Sequence, residues 1–142
     1  MQMNLIDQLR RDEGEKLTAY QDHLGFWTIG VGVLIDARKN GGITAEESAM
    51  LLANRVKSKE SGLRAALPWF DGLDRVRQAA LLNMAYQLGV AGVLGFPRML
   101  DSLRDQRWAD AEAQALDSRW AKEQTPERAR RVARQFATGE WQ

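Results

Sequence analysis

The chain has 142 residues, with 20 Lys+Arg against 19 Asp+Glu, 44% apolar and 27% charged residues. A globular chain of about 150 residues removes roughly 68–70% of its unfolded surface from water, so it needs no covalent staples. With no cysteine and a single histidine, His23, disulfides, thiolate metal sites, cysteine nucleophiles and histidine-rich clusters are excluded. The net charge of +1 carries no bulk polyelectrolyte signature, and no nucleic-acid partner is expected.

Leu5, Ile6, Leu9 and Glu13 follow helical spacing up to Gly14, which predicts a first helix over 3–13. The charges of Arg10-Arg11-Asp12-Glu13 fall where a signal peptide carries its apolar core, so the chain is expected to carry no export signal. From Tyr20 to Ile35 the pattern turns β-branched and aromatic, broken at Gly25, and reads as a hairpin. Asn40-Gly41-Gly42 is a second turn signal beside a third short strand.

Thr44-Ala45-Glu46-Glu47 is a capping box. The helix it opens, over 44–65, carries Ala45, Ala49, Leu52, Ala53, Val56 and Leu63 on one stripe that thins after Val56, as in a helix bridging two lobes. Asp74 to Leu88 is apolar nearly all round and reads as a buried central helix, with Gly89, Gly92 and Gly95 loosening the turn that follows. Pro97 opens a helix to Arg104, Ala109 to Leu116 forms the next, and Thr125-Pro126-Glu127 caps a last helix that stops at Gly139. The five tryptophans, Trp27, Trp69, Trp108, Trp120 and Trp141, read as packing anchors. No apolar run approaches the ~20 residues of a membrane span. The expected architecture is α+β and mainly α. A small N-terminal lobe over 12–43 holds a short antiparallel hairpin, with helix 3–13 packed on an all-helical C-terminal lobe over 66–142 and a cleft between the lobes.

Glu13 ends the first helix, Asp22 falls in the hairpin turn and Thr28 lies on the returning strand. Acid-assisted hydrolysis of an acetal needs one carboxyl that donates a proton and one that stays ionised, and a helix stop followed by a folded-back strand brings two acids to one cleft. The same residues are also ordinary at a helix end and in a turn, so spacing leaves both readings open.

Asp12-Glu13-Gly14, Leu17, Tyr20, Asp22, Gly25 and Thr28-Ile29-Gly30-Val31-Gly32 resemble the catalytic segment of the T-even-type tailed-phage lysozymes, a glycoside hydrolase family. Asn83-Met84, Gln87-Leu88-Gly89, Gly95-Phe96, Arg107-Trp108, Ser118-Arg119-Trp120, Gln124-Thr125-Pro126, Arg128-Ala129 and Thr138-Gly139 resemble later segments of the family in order. The resemblance implies a lysozyme-like fold, with Glu13 as general acid, Asp22 as second carboxylate and Thr28 as a residue holding the attacking water. It implies substrate contacts at Gly32, Leu34, Tyr86, Met99 and Gln114, and pairing of Arg128 with Glu13, a network that Asp12 and Arg131 extend. Inversion at the anomeric carbon, which the family suggests, places the carboxyl groups about 6.5–9.5 Å apart. Val33 stands where many relatives have a histidine, and His23 beside Asp22 reads as an exposed turn residue.

The implied activity is that of an endolysin, a muramidase cutting the β-1,4 bond of peptidoglycan, acting as a monomer without metal or cofactor. It would be made in the host cytoplasm and released to the periplasmic wall through a holin-type lesion. The alternatives are a non-catalytic peptidoglycan-binding module on the same fold, a membrane-disrupting protein and a transglycosylase. Arg119, Lys122, Arg128, Arg130, Arg131 and Arg134 form a basic C-terminal face whose charge pattern reads first as plain solvation, and which would also suit an anionic envelope.

Overall fold

The computed structural model describes residues 4–36 and 42–142. The chain forms two compact units, Met1–Leu51 and Leu52–Gln142. Asn40-Gly41 lies outside the described residues.

In the first unit, helix α1 spans Leu5–Glu13. Its cap is one the sequence pattern did not announce: Asn4 Oδ1 accepts from the Asp7 amide, and the Asp7 carboxylate accepts from the Asn4 amide. The helix ends where Gly14 takes φ 73°. Strands β1 (Lys16–Gln21), β2 (Trp27–Gly30) and β3 (Val33–Leu34) follow in an antiparallel sheet of order β1-β2-β3. Tyr20 pairs with Thr28 and Lys16 with Gly30, with the register shifted between them. The hairpin thus begins earlier than Tyr20, and the third strand precedes the Asn40 turn signal.

Helix α2 runs from Ala45 to Ala66. Its capping box is formed, with the Glu47 amide donating to Thr44 Oγ1 at 3.1 Å and the Thr44 amide to Glu47 Oε2 at 2.9 Å. The expected buried stripe is not: Ala45, Ala49, Leu52 and Ala53 are exposed, and within the helix only Leu63 is buried. Helical spacing records which residues share a face, but burial also needs a neighbouring element to cover that face.

Within the second unit the helices cover one another. After a 3-10 turn at Phe70–Gly72, α3 spans Arg75–Leu94, capped by Asp74. It continues past Leu88 because a single non-helical residue, Gly89 at φ 78°, lets the chain bend and resume. Helices α4 (Pro97–Arg104), α5 (Trp108–Leu116) and α6 (Pro126–Thr138) complete the unit. The core joins Leu63, Phe70, Leu81, Met84, Leu103, Ala111, Val132 and Phe136, each fully or almost fully buried. Ala129, Val132, Ala133 and Phe136 recur on one face of α6, and each large apolar side chain so buried contributes about 1.5–3 kcal/mol.

Two expectations change in this unit. Thr125 precedes α6, but its hydroxyl makes no cap; it accepts from Gln87 Nε2 at 3.1 Å instead. Gln87 Oε1 in turn accepts from the buried Trp120 indole at 3.0 Å, and Trp120 opens a π-helical turn, Trp120–Gln124, that propensity alone does not reveal. Trp141, read as an anchor, is 70% exposed.

Arg77 closes α6 by donating to the carbonyls of Phe136 and Ala137, while its guanidinium stacks 3.8 Å from the Trp108 ring centre. Gly139 stops the helix in the left-handed region at φ 68°, where a β-carbon would lie 2.8 Å from Arg77 Nη1.

The Gln87 junction is testable. Gln87→Leu leaves the Trp120 indole N–H without its acceptor in an apolar site, and should cost about 1–3 kcal/mol in urea unfolding. A loss under about 0.5 kcal/mol, the scale of a neutral surface change, would show that the trio carries no weight.

Candidate active site

Glu13, Lys16, Tyr20, Gln21, Asp22, His23, Thr28, Gly32 and Leu34 line one recess of about 350 Å3 in the first unit. Each arrives there for a local reason. Glu13 is the last residue of α1, so its carboxyl leaves the helix where Gly14 turns the chain into β1. Asp22 begins a tight turn in which the Gly25 amide donates to the Asp22 carbonyl at 3.0 Å and Gly25 adopts φ 86°. Thr28 pairs with Tyr20 on β1 and Leu34 on β3, and is 3% exposed.

The turn fixes Asp22 through its own side chain. Oδ1 accepts from the amides of Leu24 and Phe26, both at 2.9 Å. The Phe26 amide foremost, with the Leu24 amide, the His23 charge and the Gly25 amide, holds this carboxyl below the ordinary aspartate value of 3.8, against a smaller opposing effect of burial. Its Oδ2 makes no hydrogen bond to the described residues and stays open. The Thr28 hydroxyl donates to the Phe26 carbonyl at 3.1 Å, which leaves its lone pairs as acceptors. A water between Asp22 Oδ2 and Thr28 Oγ1 would find two acceptors and no donor, the arrangement that draws a proton off water.

Gly32 is the close approach in the recess. It sits at φ 63°, and a β-carbon there would lie 2.6 Å from Glu13 Oε2. Two demands, a left-handed backbone and room for a carboxylate, therefore converge on one glycine. Among the described residues of the first unit the Glu13 side chain has no hydrogen-bond or ion-pair partner.

The other residues read from the sequence, apart from Asp12, lie in the second unit. Tyr86 is exposed on α3. Met99 and Gln114 line a different recess, about 560 Å3, with Phe96, Arg98 and Trp120 on its wall. That cavity is larger, but unlike the smaller recess it has no pair of carboxylates. Arg128 donates to the Asn83 side chain at 2.8 Å and to its carbonyl at 3.0 Å. Asp12 pairs with Arg11 at 2.8 Å. The basic C-terminal face is thinner than its sequence implies, because Arg119 pairs with Glu123, Lys122 with Asp117 and Arg134 with Glu112.

Lys16, Tyr20 and Gln21 of the recess were not read as site residues from the sequence. The signal available was the two-residue period of β1, which puts Lys16, Tyr20 and Asp22 on one parity. Among the described residues there is no group of acids and histidine suited to hold a metal ion, and no single helix long and apolar enough to cross a membrane.

Residues 10–135 match the phage lysozyme family. The chain is 33% identical to probable T4-type lysozyme 1 of Dictyostelium discoideum, the alignment covering 98% of this chain and 96% of that one. It is 33% identical to the pre-baseplate central spike protein Gp5 of Enterobacteria phage T4 over 96% of this chain and 28% of that protein. It is 32% identical to the endolysin of Salmonella phage P22 over 76% and 77% of the two chains.

Gly32→Ala should cost about 1–2 kcal/mol from its left-handed backbone and move the Glu13 carboxylate off the turn, which urea unfolding and a crystal structure of the variant would show. An unmoved carboxylate at wild-type stability would contradict this. Asp22 should titrate by carboxyl NMR with a midpoint below 3.8. Because its folded value lies below the unfolded one, its stabilising contribution is complete above the unfolded value and disappears as pH falls through the folded one. A midpoint at or above 3.8 would remove the turn amides as its cause.

Proposed function

The chain belongs to the phage lysozyme family and is a glycoside hydrolase, and from this premise we propose that it hydrolyses the β-1,4 bond between N-acetylmuramic acid and N-acetylglucosamine of bacterial peptidoglycan. The observation that carries the reading is the single recess in which Glu13, a clamped Asp22 and Thr28 meet. Glu13 donates its proton to the glycosidic oxygen as the bond from that oxygen to the anomeric carbon breaks. Water held between Asp22 Oδ2 and Thr28 Oγ1 attacks the opposite face of the sugar, and its proton passes to Asp22. The configuration inverts. Gly32 and Leu34, on the rim of the recess, contact the sugar.

The division of labour follows from the two environments. Asp22 is kept ionised by backbone amides and suits a base, whereas Glu13 meets no amide or cation within its unit and suits an acid. By likeness to the P22 endolysin, hydrolysis of the wall from within lyses the host, the chain reaching the wall through a holin-type lesion. A binding module without turnover is disfavoured by the exposed, unpaired Oδ2 of Asp22, which a purely adhesive surface has no reason to keep.

Glu13→Gln should reduce release of reducing ends from purified peptidoglycan by at least about 100-fold, the lower end of general acid catalysis, while the urea midpoint stays at or above wild type. Products should carry one added water by mass, and early NMR spectra should show the inverted anomer. Retained turnover in Glu13→Gln would sink the assignment. An anhydro product would make the enzyme a transglycosylase, and a retained anomer would exclude direct attack by water.

A further inference from the structure

Lys16 lines the same recess as Glu13, Asp22 and Thr28, and its ammonium lies 4.4 Å from the centre of the Tyr20 ring. Residues four apart on a regular strand are separated by roughly 13 Å, so a lysine does not ordinarily settle on such a neighbour. The register shift between Lys16 and Tyr20 curls β1 and allows it. Tyr20 is half-buried, and its backbone pairs with Thr28 in the sheet.

The ammonium pairs with neither carboxylate of the recess. Lys16 takes part in no ion pair among the described residues, although two acids line the same walls, and its three N–H donors remain unused. A cation over an aromatic face keeps its position without being neutralised, which sets it apart from the exposed arginines of this chain that are already matched to acids. The recess thus offers a proton donor in Glu13, an ionised carboxylate in Asp22 and one unneutralised cation at a substrate's approach.

We propose that Lys16, seated on Tyr20, is a specificity-determining residue that receives a carboxylate of the peptide carried by the muramyl sugar. The proposal rests on the hydrolase reading of the recess. The sugars of the wall polymer are substituted with neutral amides, and its negative charge resides on the peptide carboxylates. Those carboxylates are repelled by Asp22 and attracted by Lys16, so the lysine decides whether an acidic wall is favoured over a neutral one.

The test compares purified peptidoglycan bearing free carboxyls with the same material amidated by carbodiimide and ammonia. Wild type should show a kcat/KM about threefold higher on the free-acid wall, the scale of one exposed ion pair, with the difference residing in KM. Lys16→Met should abolish that preference, Lys16→Arg should keep it, and Tyr20→Leu should weaken it by releasing the ammonium. Raising salt towards 1 M should erode the preference in wild type and leave Lys16→Met unchanged. Equal cutting of both walls by wild type, or a preference surviving in Lys16→Met, overturns the assignment of Lys16 alone. Failure of wild type to cut either wall overturns the hydrolase reading and this proposal together.

Discussion

The backbone of one residue, Phe26, governs the candidate site. Its amide donates to the Asp22 carboxylate, and its carbonyl accepts from both the Asp22 amide and the Thr28 hydroxyl. The electrostatic state of Asp22 and the donor–acceptor state of Thr28 are therefore set by the two backbone groups of one residue, in successive peptide planes that meet at its Cα, and neither side chain can rotate without losing a bond to it. What makes this possible is the order of residues in the turn: an aspartate whose side chain imitates backbone, then a glycine three positions on that accepts a positive φ.

The surroundings of that site are thin. Among the described residues of the first unit only Thr28 is buried, while Leu17, Val33, Leu34, Ile43 and Met50 remain exposed. Apolar burial is concentrated in the second unit, where α3, α4 and α6 carry most of the large side chains. The first unit is consequently held by its local devices: the Asn4 and Thr44 capping boxes, the Asp22 turn and the sheet ladder. Local opening at low free energy is the usual property of such segments, and a polymer-processing recess tolerates it better than a core does.

Those local devices were also the legible part of the sequence. Gly14, Gly25, the Thr44 box and Gly139 each announce themselves because the cause lies within four residues of the effect. The placement of Asp22 in a turn and Thr28 on the next strand was readable for the same reason. What escaped depends on distance. Thr125 looks like a cap until Gln87, 38 positions away, claims its hydroxyl. The stripe on α2 looks buried until one asks what covers it. The seat of Lys16 on Tyr20 requires a shift in strand register, which no local preference of β1 encodes. The resemblance to a family filled in residue roles that spacing left open, but a lysine absent from the quoted motif had to be found from geometry.

The clamp made by Arg77 has a temporal side. Its acceptors are the carbonyls of Phe136 and Ala137, and its ring partner is Trp108, so a guanidinium near the start of α3 waits for groups made some sixty positions later. Ala129, Val132, Ala133 and Phe136, which complete the apolar interior, are equally late. A chain still being translated has every member of the candidate recess long before it has the means to close the second unit. Closure of that unit therefore waits on a late docking of α6 rather than proceeding by stepwise consolidation from α3 onward.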